Sequence, residues 1–145
     1  MKLYFDTSVL VAASLQGHTH HTPAIEALEA MVTQGHAGYT SAHSLAETYS
    51  VLTRAPFVPA VYPGEAWQVI EATILPYLSL VALSAAEYVK LVRQCAAEGR
   101  TGGCVYDAIH LHCARKIHCD RLYTFNLRDF RALAPEDFQR KICAP

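Results

Sequence analysis

A chain of 145 residues with 52% hydrophobic and 17% charged residues reads as one compact domain rather than a disordered segment, which could not bury enough apolar surface to offset chain entropy. The formal net charge of −1 supplies no global basic field, so any binding of nucleic acid must rest on a local arrangement. The most apolar stretch, Val69 to Leu83, is interrupted by Glu71 and Pro76 and is too short to span a bilayer, which points to a soluble protein without a membrane partner.

Leu3, Tyr4 and Phe5 open the chain as a strand-forming run that Asp6 ends; Thr7 and Ser8 follow, then a further apolar stretch, Val9 to Ala13. Apolar runs without alternation suit a strand buried on both faces of a parallel sheet. Asp6 then stands at the carboxyl end of the first strand, where open α/β sheets place their ligands. Gly17 to His21 reads as a turn. Thr22 is placed to cap a helix that starts at Pro23 and stops at Gly35, with Ile25, Leu28 and Val32 as its buried stripe.

Ala37 to Thr40 is the second predicted strand. Ser41 caps a helix to about Arg54, with Leu45, Tyr49 and Leu52 at helical spacing and Glu47 in its middle. Pro56, Pro59 and Pro63 make a loop, and Glu65 to Leu75 a helix with Trp67, Ile70 and Ile74 on one face. Leu78 to Leu83 is the third strand. Ser84 and Glu87 form a capping box for a helix burying Tyr88, Leu91, Val92 and Cys95. After the loop Glu98 to Gly103, Tyr106 to Ile117 is a strongly apolar helix with Asp107 in its first turn. Leu122 to Phe125 is the fourth strand, and the tail from Ala134 holds a helical turn and an edge strand around Gln139 to Ile142. Strands alternating with helices predict an α/β sandwich with a mostly parallel sheet of four or five strands. No repeat or low-complexity linker divides residues 1–145. Five cysteines without a CxxC pair read as reduced thiols of a cytoplasmic protein, with Cys113 and Cys119 as core residues.

Four acidic residues sit where the apolar pattern does not ask for them: Asp6, Glu47, Asp107 and Asp129. Singly, three have ordinary explanations. Asp107 suits a helix dipole, Asp129 a helix cap, and Glu47 a surface pairing with Arg54. Asp6 has no helix to cap unless one begins at Ser8. Together they converge on the edge where parallel strands end and helices begin, and such carboxylates repel one another unless protonated or met by a cation. Oxygen ligands with no nearby Cys or His suit Mg²⁺ or Mn²⁺, and a metal of that kind supports phosphodiester hydrolysis.

Four segments carry a resemblance: Phe5-Asp6-Thr7-Ser8, Ala46-Glu47-Thr48-Tyr49, Val105-Tyr106-Asp107-Ala108-Ile109-His110, and Thr124-Phe125-Asn126-Leu127-Arg128-Asp129-Phe130. In this order, 41 and then 60 residues separating the first three acids, they resemble the signatures of PIN-domain proteins, above all the VapC-like toxin ribonucleases of toxin–antitoxin pairs. The resemblance implies a single PIN domain over 1–145, a three-layer α/β/α sandwich, and a Mg²⁺- or Mn²⁺-dependent endoribonuclease leaving 5′-phosphate and 3′-hydroxyl ends. It makes Asp6 and Asp107 metal ligands, Glu47 a ligand or water-orienting base, and Thr7 or Ser8 supporting hydroxyls. Asn126 stands where some relatives carry Asp, with Asp129 as the nearby acid. A cognate antitoxin lying in the active-site groove and a homodimer are also implied.

Arg54, Arg100 and Arg128, and beyond them Arg115, Lys116 and Arg131, are the cations available for RNA phosphates. His18, His20 and His21 read as a solvated turn, and His110, one turn after Asp107, as a packing residue ahead of the alternative that it approaches a phosphate. Two other readings compete. A haloacid dehalogenase-type phosphatase also begins with a strand and Asp-Thr, but needs a second Asp where this chain has Ser8. A PIN-like scaffold without catalysis would not need Asp6, Glu47 and Asp107 together.

Overall fold

The computed structural model describes residues 1–145. Its first strand, β1 (Lys2–Phe5), is buried on both faces, Leu3 and Phe5 entering one apolar core and Tyr4 the other. Val9 to Ala13 belong to a helix, α1 (Thr7–Ser14), where all five are buried. A fully enclosed helix carries the same unbroken apolar signature as a buried strand. Asp6 is the N-cap of α1, so the strand-end aspartate has a helix to cap after all.

The next helix, α2 (His21–Thr33), has His20 as its N-cap with no side-chain capping bond, so Thr22 is inside the helix rather than before it. Strand β2 (Ala37–Ser41) leads into α3 (Ala42–Arg54), where Ser41 Oγ accepts from the Ser44 N–H at 3.0 Å as the sequence predicts. Then come α4 (Pro63–Thr73), β3 (Leu78–Val81), α5 (Ala85–Ala97) behind its Ser84/Glu87 capping box, and α6 (Cys104–Lys116). Strand β4 (Arg121–Tyr123) ends two residues short of Phe125, and α7 (Leu127–Leu133), α8 (Glu136–Gln139) and β5 (Ile142–Cys143) complete the chain. Val32, Tyr49, Trp67, Tyr88 and Val92 are exposed or at the margin of exposure rather than buried. Ala24 and Ala66 take the interior of α2 and α4 instead, since a small side chain lets a helix pack close.

All five strands are parallel, in the order β3-β2-β1-β4-β5. The chain winds outward from β1 to β3, then returns to the other side of β1. Right-handed crossovers place the helices before the return on one face and those after it on the other. Accordingly α1, α2 and α4 pack with Leu3 and Phe5, while α5, α6, α7 and α8 pack with Tyr4. This is a three-layer α/β/α sandwich. Strand order reverses between β1 and β4, and the crevice outside their carboxyl ends is where this architecture leaves room for a ligand.

Gly38 of β2 shows how tightly the first core is filled: a Cβ there would lie 2.2 Å from Met31 Sδ and 2.5 Å from Leu78 Cδ2. Gly38→Ala should therefore destabilise the protein by about 1–3 kcal/mol through overpacking, read as a lowered urea midpoint with unchanged slope. All five cysteines are free thiols, and burial pushes Cys113 up to about 11 and Cys119 up to about 12. No helix is long and apolar enough to cross a membrane.

Candidate active site

An open cleft of about 390 Å³ lies at the crevice between β1 and β4. Asp6 enters it from the end of β1, Glu47 from the second turn of α3, and Asp107 from the first turn of α6. Thr7, Ser8 and Asn126 also line it. Three carboxylates far apart in sequence are thus brought to one place. Asp129 is not in the cleft wall; it is exposed on the first turn of α7.

Asp6 is 4% exposed and held by three donors. Ser8 Oγ donates to Oδ1 at 2.6 Å and the Val9 N–H to the same oxygen at 3.1 Å, while Thr124 Oγ1 donates to Oδ2 at 2.8 Å. Thr124 was not singled out from sequence, because a buried threonine after a strand looks like any β-branched core residue. Burial raises the Asp6 carboxyl, against His110 and these donors, which lower it. One lone pair of Oδ2 is left without a protein donor. Because Ser8 serves as a donor to Asp6, no acid/base group stands where phosphatase chemistry would need one.

Glu47 does not pair with Arg54. Thr7 Oγ1 donates to Glu47 Oε2 at 2.6 Å, and His110 Nε2 lies 3.1 Å from Thr7 Oγ1 and 3.4 Å from the same carboxylate oxygen. His110 Nδ1 is 2.9 Å from the Tyr4 hydroxyl. One assignment satisfies every group: Tyr4 O–H donates to Nδ1, Nε2–H donates to Thr7, and Thr7 donates to Glu47. Burial alone would raise Glu47, but the bonds from His110 and Thr7, helped by nearby His43, take it below the usual carboxylate range. His110 is therefore a packing residue, 2% exposed, that also reaches the site, and the acidic cluster does have histidines beside it.

Asp107 behaves in the opposite way. Burial and then the charge of Asp6, with smaller contributions from Asp129 and Glu47, push its carboxyl up to about 6 despite His110. Asp129, though outside the cleft wall, is close enough to be felt.

No three His, Cys, Asp or Glu side chains close into a ready-made metal cage. The donor set nevertheless suits Mg²⁺ or Mn²⁺, which keep several waters and take only one or two carboxylates alongside substrate phosphates. The repulsion on Asp107 and the free lone pair of Asp6 are what such a cation would relieve and use.

No arginine or lysine lines the cleft. Arg54 and Arg128 are exposed outside it, and Arg100 is bound by Glu98 beside another cavity formed with Leu91 and His112. Arg131 donates to the Ile142 carbonyl, and Lys116 pairs with Glu87. The turn histidines are the surprise: His18 and His20, with Phe125, form part of the cleft wall.

The model of the PIN domain family matches residues 3–135. Ribonuclease VapC40 of Mycobacterium tuberculosis, in strains CDC 1551 / Oshkosh and ATCC 25618 / H37Rv, is 38% identical over 105 residues, 72% of either chain. In three dimensions the chain is similar to Mycobacterium tuberculosis VapC20, a Sarcin-Ricin loop cleaving toxin, with TM-score 0.69 and 18% identity over 92% of this chain and 97% of that one. It is also similar to VapBC2 from Rickettsia felis bound to a promoter DNA fragment, with TM-score 0.65 and 17% identity over 99% and 98%. The reversal of strand order at β1, the acids gathered there and the match over 3–135 make the chain a member of the PIN domain family.

Proposed function

We propose that the protein is a divalent-metal-dependent endoribonuclease and the toxin of a toxin–antitoxin pair. The convergence of Asp6, Glu47 and Asp107 on one open cleft carries this reading, and the 38% identity to a relative named a ribonuclease supports it. Asp6 and Asp107 would hold Mg²⁺ or Mn²⁺, with Glu47 as a further ligand or as the base that orients water. When bound, the cation supplies positive charge to the phosphoryl oxygens and acidifies water. Thr124 and Ser8 fix both oxygens of Asp6, while Thr7 and His110 keep Glu47 ionised and pointed at the cleft. Asn126 offers an amide in the wall, and Asp129 adds charge from outside. A cognate antitoxin covering the groove, a homodimer and a cytoplasmic location complete the proposal; five unpaired thiols suit a reducing compartment.

RNA cleavage by purified protein, freed of any partner, tests it. We expect cutting with Mg²⁺ or Mn²⁺ that leaves 5′-phosphate ends, stops with EDTA, and falls by about 10³ or more in Asp6→Asn. Folded wild-type protein that binds neither metal nor RNA, and cuts nothing, would establish a scaffold instead.

A further inference from the structure

The proposed ribonuclease must hold a polyanion, yet its cleft contains no cationic side chain of the Arg or Lys type. What stands there instead is aromatic. His20 stacks on Phe125 with ring centroids 4.4 Å apart and planes 15° from parallel. A second pair, His43 and Tyr106, lies beside the cleft rather than in its lining and stacks at 4.9 Å and 18°. Each pair joins two elements: the α2 start with the β4 end, and α3 with α6.

Their placement follows from strand order. Phe125 comes two residues after β4, His43 two residues after β2, and Asp6 ends β1, which lies between those strands. The pairs are therefore rooted at the strands on either side of the one that Asp6 ends. His43 is also one turn before Glu47, and Tyr106 immediately precedes Asp107.

Local capping does not account for His20, whereas His43 Nε2 also lies 3.8 Å from Glu47 Oε2. His20 occupies an N-cap position, where Ser, Thr, Asp or Asn is favoured for its capping oxygen, and its side chain makes no capping bond. His20 is exposed, and Tyr106 is 44% exposed; the partly buried Phe125 and His43 behind them act as fixed backing. Burial and the neighbouring His20 and His21 lower the pKa of His18, which also lines the cleft, so this wall is less cationic than its histidines suggest.

Resting on the ribonuclease reading, we propose that these pairs are nucleobase-stacking platforms, one on each side of the scissile phosphate: His20 over Phe125, and Tyr106 over His43. Stacking on aromatic rings needs bases free of a helix and works with any base. The substrate is then an unpaired RNA segment, loop or single strand, gripped by base faces rather than by phosphate charges.

The test uses a short single-stranded RNA carrying 2-aminopurine on either side of the cut. Binding is followed by fluorescence with Ca²⁺ in place of Mg²⁺, and cleavage is followed separately with Mg²⁺. Wild type should quench the probe. His20→Ala and Tyr106→Ala, both at exposed positions and checked by unchanged melting, should each lose quenching on one side and raise KM by about 5- to 150-fold. His20→Phe and Tyr106→Phe should restore both. The loss should persist from low to high salt, unlike the loss of a phosphate contact. Unchanged KM and quenching in both alanine variants, with wild type still cutting, would overturn the platforms and leave the ribonuclease standing. Quenching without cleavage would do the reverse, and neither binding nor cleavage would remove both.

Discussion

Asp107→Asn should abolish RNA cleavage, by a factor of about 10³ or more, and yet make the metal-free protein more resistant to heat. The carboxyl is pushed up to about 6 by burial and by the charge of Asp6, with Asp129 and Glu47 adding to it. A group raised in the folded state contributes stability below its unfolded value of 3.8, and that contribution is lost as pH rises through about 6. At neutral pH the folded protein therefore carries an ionised carboxylate it would rather protonate. Asparagine removes that penalty. The full shift would correspond to about 3 kcal/mol, but Asp107 is only partly buried and solvent screening reduces this to about 1 kcal/mol, or about 3 °C in melting temperature. Calorimetry in EDTA at pH 7.5 should show the gain, and at pH 4.5 it should shrink. Adding Mg²⁺ should raise the melting temperature of wild type and leave the variant unmoved. A variant that melts below wild type in EDTA at pH 7.5 would show that Asp107 is structural rather than held under repulsion for a cation.

His110→Phe carries the largest expected cost in stability. The ring is buried, so phenylalanine preserves its volume but leaves the Tyr4 hydroxyl without its acceptor and Thr7 without its donor. Each stranded buried group costs about 1–3 kcal/mol, for about 2–6 kcal/mol in all. Tyr4→Phe alone should cost about 1 kcal/mol, and the double variant less than the sum, because replacing both partners by apolar rings leaves fewer unmet groups. Urea unfolding of the four proteins gives the cycle directly. In cleavage assays His110→Phe should lower kcat about 10- to 100-fold with little change in KM, since it releases the Thr7–Glu47 arrangement while the ring, 2% exposed, offers RNA little surface. Additive stability costs would show that the Tyr4–His110 bond carries no coupling.

Several features were legible without coordinates. The alternation of strands and helices, the Ser41 cap of α3 and the Ser84/Glu87 box of α5 depend on contacts within a few residues, which spacing reveals. The four acidic segments stood out because carboxylates are costly in apolar surroundings. Other local assignments were misleading. Val9 to Ala13 are buried all round and show no period that separates helix from strand, and His20 takes the N-cap position of α2 without a side-chain capping bond, so no capping residue marks where that helix starts.

What the sequence determined by itself was therefore an α/β chain with acids at strand ends and helix starts. Tertiary structure decided which of those acids meet and what surrounds them. The reversal of strand order at β1 gathers Asp6, Glu47 and Asp107 and leaves Asp129 outside the cleft wall. It also brings in Thr124, 118 residues from Asp6, His110, 63 from Glu47, and His20 against Phe125. Their hydrogen bonds and stacks depend on which strands are neighbours. No spacing along the chain encodes that order, because crossovers of similar length can place a strand on either side of β1.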